Sequence, residues 1–221
     1  MSTSSRFALA GIGVSLFLAL PSAAHADHVI DSFMNALPSQ TLPYSSTPGP
    51  FLWAGTLGEL SQPLDIASQT SLSGVVGGAR TVKVREATLS NFVYASLASG
   101  TLSYATGLAP SGTLIMEYGV SADLNLNLSS DRAFSLYLDG DLNTGASPRP
   151  VQLTITVKSG GMPAVSRTFT LLSDGQYKFP FSAFSGVSFS DVDYLKLQFD
   201  ASQVQGVDYD LIGGLRTVTY L

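Results

Sequence analysis

The stretch from Tyr177 to Phe199 constrains the fold more than any other part of this chain. It carries Phe179, Phe181, Phe184 and Phe189 around Pro180, then a run in which Leu195, Leu197 and Phe199 alternate with Tyr194, Lys196 and Gln198. Period-two alternation is the signature of a strand with one buried and one wet face. A buried aromatic hides roughly 150–250 Å², so four phenylalanines in one loop predict a clasp over a core, not a solvent loop.

The same alternation recurs along the chain. Val151, Leu153, Ile155 and Val157 point one way in the cleanest run, Phe134, Leu136 and Leu138 do so in another, and Val82 and Val84 alternate with Lys83 and Arg85. Ala122 to Leu128 alternates too, with Leu124, Leu126 and Leu128 expected inward. Thr113 to Val120 is apolar on both faces near Leu114 to Met116, as a central strand would be. Ser99-Gly100 is a hairpin turn, and Gly74 to Arg80 is a turn leading into a strand. Many short strands and no long helix-period segment predict an all-β fold, an antiparallel β-sandwich of the jelly-roll type. Two segments stand apart. Residues 38–53 hold Pro38, Pro43, Pro48 and Pro50 and predict an extended excursion tucked down by Phe51, Leu52 and Trp53. Leu60 to Ile66 admits a short helical turn.

Residues 1–26 read as a secretory signal peptide: Arg6, an apolar run from Phe7 to Leu20, the break at Pro21, and the small-x-small site Ala24-His25-Ala26. The run is shorter than the roughly 20 residues of a membrane span, so the expected product is a secreted or periplasmic single domain, residues 27–221, with no membrane span. Removing Arg6 moves the formal charge from −5 to −6. An acidic surface argues against nucleic acid, which wants a basic patch. The chain has no cysteine. That excludes disulfides, thiolate metal sites and a cysteine nucleophile. A histidine mechanism is also unsupported, because His25 leaves with the leader and His28 is expected at a frayed end.

Several short motifs fall in an order that resembles a known group. They are Gly77-Gly78-Ala79-Arg80 entering a strand, Thr101-Leu102-Ser103, Phe179 to Phe184 before Val192 to Leu197, and Val207 to Ile212. Together they resemble exported bacterial β-sandwich proteins, many of which carry a C-terminal Pro-Glu-Pro sorting signal. The second half also resembles galactose-binding-like jelly-roll carbohydrate-binding modules. The resemblance covers about residues 28–33 and 74–212. It implies the fold, a polysaccharide or matrix component as partner, and a structural calcium ion on the rim. No Pro-Glu-Pro segment follows the last strand, and Gly213-Gly214 stands where such proteins often have Asp-Asn.

The candidate residues follow. Asp208 and Asp210 share one face of the last strand and Asp31 lies on the first; paired terminal strands would gather the three around calcium, which takes six to eight oxygens. The competing reading is solvated acids that discourage edge-to-edge aggregation. Asp139 to Gly145 fails the calcium-loop pattern at Thr144 and Pro150 and reads as a hairpin loop. Tyr137 and Tyr194 are out of phase with their apolar neighbours and should face outward as rings for sugar stacking; Trp53 is a third such ring, or the plug of the excursion. Glu117 could serve a carboxylate-based glycosidase, or pair with Arg80 or Arg132. The leading expectation is a non-catalytic exported module that binds glycan or extracellular matrix. The alternatives are a structural or assembly protein of the envelope, and the glycosidase.

Overall fold

The computed structural model describes residues 27–40, 49–57, 60–86, 92–106, 112–140, 149–202 and 206–220. The leader, Glu59 and the loop at Asp141 to Gly145 lie outside them. Fifteen strands are described: β1 (Val29–Asp31), β2 (Ser39–Gln40), β3 (Gly49–Leu57), β4 (Leu60–Gln62), β5 (Leu64–Gln69), β6 (Arg80–Glu86), β7 (Phe92–Ala98), β8 (Thr101–Thr106), β9 (Gly112–Tyr118), β10 (Ala133–Gly140), β11 (Val151–Ser159), β12 (Val165–Leu171), β13 (Gly175–Pro180), β14 (Val192–Asp200) and β15 (Asp208–Val218). Among the described residues no helix is long and apolar enough to cross a membrane.

The strands form two antiparallel sheets. The larger runs β13-β10-β15-β8-β7-β3-β2, with β1 added to β15 and β4 to β3; the smaller runs β12-β11-β14-β9-β6-β5. The predicted all-β sandwich is therefore what the chain adopts. Its core is the set of inward positions that alternation selects: Val151, Leu153, Ile155 and Val157 on β11, Leu195, Leu197 and Phe199 on β14, and Phe134, Leu136 and Leu138 on β10 are all buried. Each such side chain contributes about 1.5–3 kcal/mol on burial. The aromatic clasp forms as expected. Phe181 stacks on Phe189 with ring centres 3.8 Å apart, while Phe134 meets Phe181 and Phe184 edge-on.

Four local expectations are corrected. Residues 49–53 do not remain outside the sheet; they begin β3, which pairs with β7. Phe51 to Ala54 is apolar on both faces and can be buried from two sides. Pro50 is tolerated because its partner is β2, at the sheet edge. Residues 60–66 are not helical but form β4 and the start of β5. Ala122 to Leu128 is not a strand beyond one bridge, Leu126 to Val192, because Asn125 takes a left-handed conformation with φ of 49°. His28 is not frayed: its carbonyl accepts the Thr217 N–H, and its Nδ1 lies 2.8 Å from Asp131 Oδ2, which also accepts the Thr217 hydroxyl.

Candidate functional site

The first and last strands do pair, as a jelly roll predicts, but at Val29–Arg216 and Asp31–Leu215. Asp208 and Asp210 lie five to seven residues back along β15, roughly 16–23 Å away at the strand rise. Asp31 is fully buried. Its carboxylate accepts both hydrogen bonds of Arg80 Nη1 at 3.0 Å and that of the Tyr118 hydroxyl at 3.0 Å. Arg80 in turn donates to Gln69 Oε1 and to the Asn35 carbonyl. Burial pushes the Tyr118 hydroxyl far up, and the nearby Asp31 charge adds to this. The Asp31, Asp208 and Asp210 set is thus not assembled, and with the Phe33 N–H also donating to its Oδ1 at 2.8 Å, Asp31 has no lone pair to spare for calcium. Among the described residues, no three His, Asp or Glu side chains converge to hold a metal ion. The sequence offered no signal for this clamp, because Asp31 and Arg80 are 49 positions apart.

Tyr194 and Tyr137 both face outward, but from different sheets. Tyr194 is on β14, in the smaller sheet, half-buried, and its hydroxyl donates to Glu117 Oε1 at 2.7 Å. Burial pushes that hydroxyl up, and the Glu117 acceptor pushes it further. Glu117 pairs with Lys83 at 2.5 Å, not with Arg80 or Arg132. Burial raises the Glu117 carboxyl, but hydrogen bonds from Lys83 and Tyr194 and the charges of Lys83 and Lys196 outweigh it and leave it below its ordinary value. It is ionised at neutral pH, which is wrong for a glycosidase acid. A recess beside it, of about 100 Å³, is no larger than a few waters.

The larger sheet gathers the other candidates. On its outer face Tyr137 stands opposite Ile212, and Ile212 opposite Thr101. In the next row Asp139 faces Asp210, followed across the sheet by Ser103, Ser96 and Phe51. In the third row Asp208 faces Ala105, followed by Tyr94 and Trp53. The face spans β10 to β3, about 19 Å at the usual strand spacing. Its two ends differ. Phe51 and Trp53 lie on this outer side yet are 7% and 6% exposed, with Phe51 packed on Tyr94 at 5.8 Å. The Trp53 backbone is held by the Asp65 carboxylate and the Gln62 amide. Trp53 is therefore the plug of its strand, not an open ring. At the β10–β15 end Tyr137 is 46% exposed and Ile212 39%. A cleft of about 300 Å³ lined by Asp139, Gly140, Asp208, Tyr209 and Asp210 adjoins them. Of the six sequence candidates, Tyr137, Trp53, Asp208 and Asp210 share this face; Tyr194 and Asp31 do not. Asp139, weighed from the sequence only as part of a calcium-like loop, and Ile212, not singled out there, also stand on this face, and only strand register places them beside Tyr137.

The outer face can do two things at once. An exposed phenol ring and an isoleucine offer a flat apolar step, and carboxylates accept hydrogen bonds from hydroxyl donors beside it.

No protein-family profile and no curated protein sequence matches this chain. Solved structures of similar shape include a family 11 carbohydrate-binding module of a cellulosomal cellulase from Clostridium thermocellum, at 11% identity and a TM-score of 0.39 over 85% of this chain and 98% of that one. A solution structure of a family 11 module gives 14% identity and 0.44 over 91% and 99%. A family 28 module specific for non-crystalline cellulose gives 10% and 0.41 over 83% and 97%. At these identities and scores the likeness assigns no residue a role.

Proposed function

We propose that this protein is an exported, non-catalytic module that binds a polysaccharide on the outer face of its larger sheet. The observation that carries the reading is the placement of an open Tyr137–Ile212 step directly beside the Asp139–Asp210 pair on adjacent strands. A sugar ring has an apolar C–H face and an equatorial belt of hydroxyls. The first suits a phenol ring, and the second suits carboxylate acceptors. Phe51, Tyr94 and Trp53 continue the same face but are packed, so they stiffen it.

The reading is supported by what Glu117 lacks: it is held as an anion by Lys83, and a glycosidase needs one protonated acid. Structures of similar shape include carbohydrate-binding modules, which agrees with the reading without carrying it.

The test is titration of the mature chain, from Asp27, against a panel of soluble polysaccharides, followed by tryptophan fluorescence or calorimetry. Saturable binding that Tyr137→Ala weakens, with no reducing ends released on long incubation, is the expected result. Binding unchanged by Tyr137→Ala, or release of reducing sugar, would sink the proposal.

A further inference from the structure

Between Ser135 and Tyr137 β10 has one residue, while the facing stretch of β15 from Ile212 to Arg216 has three. The two extra residues make a bulge. Gly213 and Gly214 sit at φ of 75° and 87°, the left-handed region that glycine enters without strain. Each has its own reason. A Cβ on Gly214 would lie 2.2 Å from the Asp31 carbonyl oxygen, so glycine lets β1 cross closely. A Cβ on Gly213 would meet nothing within 4 Å. The bulge opens there onto a recess of about 250 Å³ beside Tyr137.

The walls of the recess are chemically opposed. On one side are the Tyr137 ring and Ile212. On the other are Gln176, whose amide donates to Ser135 Oγ at 3.1 Å, and Arg216, whose Nε donates to the Gly213 carbonyl at 3.1 Å. That bond fixes the guanidinium over the bulge. No acceptor among the described residues takes its Nη hydrogens, and the side chain is exposed. We infer that this recess is a subsite for a uronic acid residue: Tyr137 takes the ring face, and Arg216 takes the carboxylate with paired N–H donors. The inference rests on the polysaccharide reading above. Arg216 lies diagonally from Tyr137 across the pair of strands, about 7–8 Å away, which one pyranose ring with its carboxylate bridges. A planar guanidinium matches a carboxylate two bonds at a time.

The acidic pair on the same face does not cancel this. Asp139 is two residues from Tyr137, roughly 7 Å along β10, and four from Ser135, the partner of Arg216, roughly 13 Å. The Debye length at physiological salt is about 8 Å, so a carboxylate held at the Arg216 end of the recess is screened from that row, and only the uncharged ring face lies near it. The positive end is reinforced by Lys178, which faces Ser135 from β13 and lies 4.1 Å over the Tyr220 ring.

The experiment compares oligogalacturonate and oligomannuronate with their methyl esters, by calorimetry on the mature chain. Esterification keeps the ring shape and removes the charge. The acids should bind about tenfold or more tighter than the esters, the gain of a charge-assisted bond pair. Arg216→Gln should erase that difference, and Arg216→Lys should restore part of it. Tyr137→Ala should weaken acids and esters together. Equal binding of acids and esters overturns the uronate subsite but leaves the polysaccharide reading standing. Tighter binding of acids that survives Arg216→Gln overturns the assignment to this recess. If neither acids nor esters bind, while a neutral polysaccharide does, the uronate inference alone falls. If no polysaccharide binds at all, both fall.

Discussion

The outer faces of the two sheets are built from the same alternation and end up opposite in character. On the smaller sheet the outward groups satisfy one another. Thr154 meets Thr168 and Thr156 meets Ser166, each at 2.8 Å, Thr170 donates to Gln152, and Glu117 is shared by Lys83 and Tyr194. On the larger sheet Tyr137 and Ile212 stand open beside a row of carboxylates, and among the described residues the Arg216 guanidinium is tied at one nitrogen only. A polar surface binds little when its donors and acceptors already have partners, because a ligand must then break bonds of equal strength. Content of polar residues is a poor guide to a site; unspent bonding capacity beside an apolar step is a better one.

The largest effect is one that both faces should share. Arg80→Ala leaves Asp31 buried with its main partner gone, beneath strands of both sheets. Loss of such a partner costs about 3–5 kcal/mol, and chemical denaturation should read it. If the clamp is instead dispensable, the two faces are less coupled than the geometry says. Next comes Tyr137→Ala, expected to weaken polysaccharide binding by about tenfold to a hundredfold, the range of one buried aromatic face, with little change in stability. Its counterpart on the other sheet, Tyr194→Phe, should leave binding as it was and lower stability by about 1 kcal/mol, one hydrogen bond. Equal effects of the two tyrosine changes on binding would erase the contrast between the faces.

Smaller still is the acid dependence of the Lys83–Glu117 pair. The folded-state carboxyl lies below its ordinary value of 4.5. Its contribution is therefore present at neutral pH, starts to fade as pH falls through about 4.5, and is gone below the folded value. Lys83→Met should flatten that part of a melting curve series between pH 6 and pH 3 (a range chosen to bracket the carboxyl). An unchanged slope would mean that the pair is screened out. Last, Thr168→Val should shift stability by no more than about 0.5–1 kcal/mol and binding not at all.

The inward positions were legible because burial along a strand follows the pleat, a local property. Phe134, Leu136 and Leu138 point in and Tyr137 points out whatever lies across the sandwich. Trp53 was harder, since Phe51 to Ala54 is apolar on both faces and alternation has nothing to alternate with. Asp31 reads as a surface acid by composition, yet it is fully buried against Arg80.

The residues alone decide that this chain makes strands and which side chains enter the core, and they leave no cysteine for a site. Strand order decides the rest. Whether Tyr137 keeps company with Asp210 or with Tyr194 depends on β10 lying beside β15 while β14 lies between β11 and β9. Those pairings join segments about 40 to 80 positions apart. They are set by how two whole sheets bury each other, a balance to which every strand contributes and which no single stretch encodes.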